Sequence, residues 1–281
     1  MLKHTEEYLE QMNQNIDDKL NIIPYIRGKN VLDVGCGGGE LTKILLNKGY
    51  NAYGLDKSTY ARRMFESEGL PMRHRFILSD ARFIHKIVDY GEIDTVIFSS
   101  VLHEVYSYND FSYDAVRDAI RSAWKVLPKG GRIIIRDGIM SETSNERLIS
   151  FKDPEGEKFF LKYVNKFKGR KINFKRISND LVLMNENDAM EFLYTYTWGE
   201  QSFEREVCEQ YGIFTPQQYI KFIANEVMGE FDEFEIVAMN HYLQEGYNSH
   251  LLQKIKFTDR NYNPVKLPDS NFLLTIRKTT N

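Results

Sequence analysis

Three aspartates and a run of glycines are the residues whose types and spacing suit ligand chemistry. Asp33 stands two positions before Gly35 in VLDVGCGGG, from Val31 to Gly39. Asp56 follows about twenty residues beyond that turn, and Asp80 closes a later apolar segment. Glycines at 35, 37, 38 and 39 remove the side-chain wall between a ligand and the backbone, leaving N–H and C=O groups within reach. An acid at the carboxyl end of the second strand can accept hydrogen bonds from both hydroxyls of a ribose. Asp80 has the same kind of position for the exocyclic amine of an adenine ring. Each acid also has a local reading: Asp56 as a cap before KSTYARRMFES, and Asp80 as a cap of the turn behind it. Pyrophosphate suits the turn poorly. Position 40 is Glu where G-x-G-x-x-G needs its third glycine, and Asp33 and Glu40 repel phosphate but accept the ammonium of an amino-acid moiety.

The elements that must hold these residues alternate. Val31 to Val34 is an apolar strand, Glu40 opens a helix through residue 48, and Asn51 to Leu55 is a second strand. Arg75 to Leu78 and Ile93 to Ser99 are further strands. The helix Tyr113 to Leu127 sets Val116, Ile120, Ala123 and Trp124 on one side. The breaker Pro128-Lys129-Gly130-Gly131 then precedes strand Arg132 to Arg136. This rhythm predicts an α/β fold, a doubly wound, mostly parallel sheet covered on both faces, with residues 1–138 as its core. Residues 3–20 carry helical spacing through Tyr8, Leu9, Met12, Ile16 and Leu20, either to cover a sheet edge or to bring Tyr8 to the ligand.

The regularity stops after Gly138. Residues 139–230 are too many for a plain crossover and predict a helical, aromatic-rich insertion. Within 231–281, strands at 234–239 and 271–277 are expected to close the sheet. Helices are expected over Glu155 to Lys168, around Asn187 to Tyr194, over Phe203 to Tyr211 and from Thr215-Pro216. YTYTW places Tyr194, Tyr196 and Trp198 as one face of an extended segment, and with Phe192, Phe203 and Phe214 these form either a substrate wall or plain core. Lys158 to Arg176 holds eight Lys or Arg and no acid, which reads as a solvated face or as a contact for an anionic substrate or RNA.

The totals exclude some classes. The 281 residues, 42% apolar and 27% charged with a formal charge of -3, suit a globular chain and supply no general attraction to nucleic acid or membrane. Two cysteines, Cys36 and Cys208, argue against a disulfide-stapled secreted scaffold, and six scattered His make no metal cluster. MLKHTEEYLEQMNQ lacks the apolar centre of a signal peptide, and no 18-residue apolar run exists, so a cytoplasmic protein without a membrane partner is expected.

VLDVGCGGGELT resembles the first motif of the class I, seven-stranded, Rossmann-like S-adenosylmethionine-dependent methyltransferases. The strand-two acid, the SDA segment at 79–81 and LPKGGRIIIRD match that family's later motifs in order, over roughly residues 28–138. The resemblance implies strand order 3-2-1-4-5-7-6 with strand seven antiparallel, and S-adenosyl-L-methionine across the carboxyl ends. It implies methyl transfer to an oxygen or nitrogen of a small-molecule acceptor; an RNA or tRNA acceptor using 158–176 is the alternative. The cofactor set is then Tyr8, Asp33, Gly35, Cys36, Gly37, Asp56, Lys57, Asp80, Ala81, Ser99 and Ser100. VLHEVYS supplies Val101 beside the pocket and His103 and Glu104 as candidate bases. His241 and Tyr242, just beyond strand six, are the remaining candidate catalytic contacts. A non-catalytic nucleotide-fold protein and an NAD-dependent oxidoreductase are the competitors from other classes.

Overall fold

A computed structural model describes residues 16–67, 69 and 72–280. Tyr8 and most of the expected N-terminal helix lie outside the described residues; Ile16–Lys19 is helical and runs into a 3-10 turn, Leu20–Tyr25. The strands are β1 Asn30–Val34, β2 Asn51–Asp56, β3 Phe76–Leu78, β4 Thr95–Ser99, β5 Arg132–Gly138, β6 Glu146–Phe151, β7 Phe174–Ser178, β8 Leu181–Asn185, β9 Phe234–Tyr242, β10 Ile255–Thr258 and β11 Asn271–Lys278. The chain divides into two compact units, residues 1–137 with 220–240 and 273–281, and residues 138–219 with 241–272.

The first unit is built on a seven-stranded sheet of order β3-β2-β1-β4-β5-β11-β9, the expected order with β9 and β11 as its sixth and seventh strands. β1 lies parallel to both β2 and β4, with Val34 opposite Leu55 on one side and Phe98 on the other. Lys278 N–H donates to Gly131 O and Gly130 N–H to Lys278 O, so the end of β11 meets the start of β5 and the two run antiparallel. Thr279 N–H likewise reaches Glu233 O, at the start of β9. Parallel strands covered on both faces need unbroken apolar runs, and β4 is buried at all five positions. The amphipathic helix Tyr113–Val126 buries Val116, Ile120, Ala123 and Trp124, and the larger of these side chains contribute about 1.5–3 kcal/mol each.

The helix Glu40–Asn47 is pinned to β1 by one buried polar contact. Thr42 Oγ1 donates to Asp33 Oδ2 at 2.7 Å, with Asp33 only 2% exposed. Burial pushes the Asp33 carboxyl up to about 6, against the lowering effect of the Thr42 hydrogen bond and of Lys19.

The second unit holds more than helices. A four-stranded antiparallel sheet of order β10-β6-β8-β7 accompanies them, with Leu148 of β6 opposite Leu183 of β8 and Thr258 of β10. Asp153 caps the helix Pro154–Lys166, whose first residue is the proline, and Asn185 caps Glu186–Trp198. Thr215 and Gln218 exchange side-chain hydrogen bonds with each other's backbone N–H, a capping box that starts Pro216–Phe222.

Two local expectations change here. YTYTW is helical rather than extended, because Asn185 and the acids of NEND start a helix before it. Alternation failed as a signal because the helix is buried on nearly every side, Phe192, Leu193, Tyr194 and Tyr196 alike. The Phe203 helix stops at Glu206: the Tyr211 and Gly212 N–H groups turn to the Glu191 carboxylate, at 2.7 and 2.9 Å, instead of continuing a helical ladder. Phe192 packs with Phe160 and Tyr163 at centroid distances of 5.0 and 5.5 Å, so the aromatics of this segment form the unit's own core.

The raised Asp33 value gives a signed prediction. The folded state keeps a proton that the unfolded chain releases near pH 4, so the contribution of Asp33 to stability falls as pH rises from there to about 6. Asp33→Asn keeps an acceptor for Thr42 and is expected to flatten this dependence by up to about 3 kcal/mol, read from denaturant midpoints across that pH window.

Candidate functional site

The β1 turn is threaded closely against β2. Gly35 has φ of +74°, and a side chain there would meet Val101 at 2.4 Å, so both conformation and space require glycine. Its N–H donates to Leu55 O at 2.7 Å. Two positions on, Gly37 N–H donates to Asp56 Oδ2 at 3.1 Å, and Ser58 N–H donates to Asp56 Oδ1 at 2.8 Å. Two backbone donors therefore fix the strand-two carboxylate while its remaining lone pairs stay available to a ligand.

These residues open a crevice where the strand order reverses between β1 and β4, outside the carboxyl ends of the strands. It encloses about 680 Å³ of empty space including its open mouth. Gly35 and Gly37 line it from the β1 turn, Asp56 and Lys57 from β2, Asp80 and Ala81 from β3, and Ser100, Val101 and Glu104 from beyond β4. All nine of these lining residues were singled out by the sequence. Asp33, Cys36 and Ser99 do not line the crevice. Asp33 is spent on Thr42, the Cys36 side chain lies against Gly54, and Ser99 is buried in the strand.

Asp80 is both cap and lining residue. Its carboxylate accepts from Arg82 N–H, Nε and Nη2, each at 2.9 Å. Burial pushes this carboxyl up, but the hydrogen bonds and charge of Arg82 outweigh it and hold the group below its ordinary value. Ser100, at φ of +55°, donates its N–H to Arg136 O, and its Oγ accepts from Arg136 Nη1 at 2.8 Å. Arg136 is buried and also ion-paired with Asp18. Lys19, next in the chain, is lowered to about 8 by burial and by Arg136, against the opposing pull of Asp33, Glu104 and Glu40.

His103 is held rather than exposed. Its Nδ1 lies 2.5 Å from Asp137 Oδ1, and Asp137 Oδ2 accepts the N–H groups of Leu102 and His103 at 2.7 and 3.1 Å. One carboxylate thus caps the helix Leu102–Ser107 and orients the imidazole. Glu104, not His103, lines the crevice. Lys19, Arg136 and Asp137 are absent from the residues picked out by sequence. Asp137 had a signal, an acid at the carboxyl end of an apolar strand; Lys19 and Arg136 had none. His241 and Tyr242 belong to the second unit. There His241 Nδ1 lies 2.5 Å from Asp269 Oδ2, with both side chains exposed, and neither His241 nor Tyr242 lines the crevice.

The basic run of the second unit is half neutralised within that unit. Lys158 pairs with Glu155, Lys162 with Glu200, Arg170 with Asp188 and Arg176 with Glu157. Lys166, Lys168, Lys171 and Lys175 carry the remaining charge. Among the described residues, no helix is long and apolar enough to cross a membrane.

Comparison with known proteins follows the same division of the chain. Residues 32–135 match the family model described as a methyltransferase domain. An uncharacterised methyltransferase of a Geobacillus species is 28% identical over 134 residues, 48% of this chain and 58% of that protein. The chain spans about half the length of the curated relatives it matches. Among solved structures, an S-adenosylmethionine-dependent methyltransferase from Mesorhizobium loti superposes with a TM-score of 0.52 at 12% identity, over 93% of this chain and 96% of that one. One from Methanosarcina mazei gives 0.51 at 14% identity, over 92% and 98%. With residues 32–135 matching that family model and with this strand order, the chain has the class I, Rossmann-like fold seen in S-adenosylmethionine-dependent methyltransferases.

Proposed function

We propose that this protein is an S-adenosyl-L-methionine-dependent methyltransferase acting on an oxygen or nitrogen of a small-molecule acceptor. The observation that carries the reading is the Asp56 carboxylate, fixed in the crevice by the Gly37 and Ser58 N–H groups beside a turn without side chains. Asp56 would hold the ribose hydroxyls, and Asp80 the adenine amine. Glu104 offers negative charge to the cationic end of the donor, and Lys19 offers positive charge to its carboxylate. When bound, the donor supplies a methyl group on a positively charged sulfur.

The chain's own work is alignment and proton removal. Crevice walls that fix the nucleoside end restrict the approach of an acceptor to one line, and such positioning is the larger share of the rate for a transfer of this kind. Glu104 is the proton acceptor best placed, since it lines the crevice; His103, oriented by Asp137, is the second. His241 and Tyr242 do not line the crevice and are given no part in this reading. The RNA reading keeps Lys166, Lys168, Lys171 and Lys175 and loses the other half of the basic run to internal pairs.

Three measurements test the reading. Asp56→Ala removes two charge-assisted hydrogen bonds and is expected to weaken S-adenosylhomocysteine binding by about 100-fold in calorimetry, with no binding of NAD to the unsubstituted protein. Binding of NAD in place of S-adenosylhomocysteine would overturn the donor assignment. Arg82→Ala releases Asp80, so the preference for S-adenosylhomocysteine over S-inosylhomocysteine is expected to shrink by about tenfold. Glu104→Gln keeps the shape of the crevice and is expected to lower methyl incorporation from labelled donor into cell extract by about 100-fold or more. Donor affinity is expected to fall by only about tenfold, from the charge lost at the cationic end of the donor, so the larger loss of incorporation reports proton removal.

A further inference from the structure

Two arginines of one strand hold residues 16–25 against the first sheet. Arg132 opens β5 and Arg136 stands four residues on, so both point to the same face, with the buried Ile134 between them. Arg132 Nη1 donates to Tyr25 O at 2.7 Å. Arg136 Nε donates to Asp18 Oδ2 at 2.8 Å, and its Nη2 donates to the same oxygen. Asp137, the next residue of the strand, faces the other way, to His103. Arg136 holds the end of the segment beside the crevice, since it pairs with Ser99 at the carboxyl end of β4. Its remaining nitrogen, Nη1, donates to Ser100 Oγ at 2.8 Å, and its carbonyl accepts the Ser100 N–H at 2.7 Å. Ser100 lines the crevice, so one guanidinium joins the crevice wall to Asp18.

A buried ion pair is weak ground for stability, because desolvation of both groups offsets their attraction. What this pair fixes is the place of the next residue. Lys19 follows Asp18 and interacts with the charges of Asp33, Glu40 and Glu104, the last of which lines the crevice. Asp18 is spent on Arg136, so the charge that Lys19 brings to the crevice is not cancelled by its own neighbour. We propose that Arg136 is a positioning residue for the methyl donor: through Asp18 it docks residues 16–19 so that Lys19 meets the donor's carboxylate. The crevice then selects nucleosides that carry the charged amino-acid tail over those that lack it. The inference rests on the donor assignment made from Asp56 and Asp80, and adds to it the residues that read the tail.

Calorimetry with two ligands tests this. S-adenosylhomocysteine carries the charged tail; 5′-methylthioadenosine keeps the adenine, ribose and sulfur and lacks the tail. Lys19→Met and, separately, Asp18→Ala are expected to weaken S-adenosylhomocysteine by about tenfold and to leave 5′-methylthioadenosine within about threefold. The double variant should bind no more weakly than Lys19→Met alone, because Asp18 acts through Lys19. Equal losses for the two ligands, no loss, or losses that add in the double variant overturn the proposal and leave the donor assignment standing. No binding of either ligand by the parent overturns both. If Asp18→Ala fails to fold, for want of a partner for Arg136, amide exchange of the parent decides. Exchange across 16–25 should slow with saturating S-adenosylhomocysteine and not with 5′-methylthioadenosine; equal protection by the two overturns the proposal.

Discussion

Everything around the crevice depends on the close approach of the β1 turn to the end of β2. Gly35 donates to Leu55 O, Gly37 donates to Asp56, and the absence of a side chain at Gly35 leaves room for Val101. Add a Cβ at position 35 and the β4 side of the crevice must retreat. The parallel register that sets Val34 beside Leu55 brings turn and carboxylate together, so the geometry of the crevice is a property of strand pairing before it is a property of any side chain.

Charge in the first unit follows one rule: a buried group is given a partner. Asp33 has Thr42, His103 has Asp137, and Arg136 has Asp18 and Ser100. Burial raises Asp33 and lowers Lys19, each moving toward its neutral form. Asp137 serves two elements at once, because the same carboxylate that starts the Leu102–Ser107 helix orients the His103 ring.

The second unit spends its aromatic and polar residues on itself. Phe151, Phe159, Phe160, Phe192 and Tyr196 fill its core, and Glu191 clamps the backbone at Tyr211 and Gly212. Half of its basic run is consumed in the same way. A composition that suggests a ligand can thus be accounted for by packing and internal pairing, which is why the crevice of the first unit carries the functional reading.

While the strand order was implied only by the resemblance of VLDVGCGGGELT and the later motifs to a known family, the sequence by itself determined the glycine turn, the acids at the ends of strands two and three and the mostly parallel sheet. These are local or periodic signals: a glycine where φ is positive, an acid where an apolar run stops, unbroken apolar strands where both faces are covered. Tertiary structure alone decided which acids line the crevice. Asp33 and Asp56 look alike in the chain, yet one carboxylate is buried inside its strand against Thr42 and the other, at the last position of β2, accepts from the Gly37 and Ser58 N–H groups and lines the crevice. It alone also joined Lys19, Arg136 and Asp137 to this neighbourhood and paired Lys162, Arg170 and Arg176 with acids. Most of these partners lie far apart in sequence and meet only once the chain has folded, and no spacing announces them. The helical state of YTYTW was hidden for a related reason: a segment buried on all sides has no period to read.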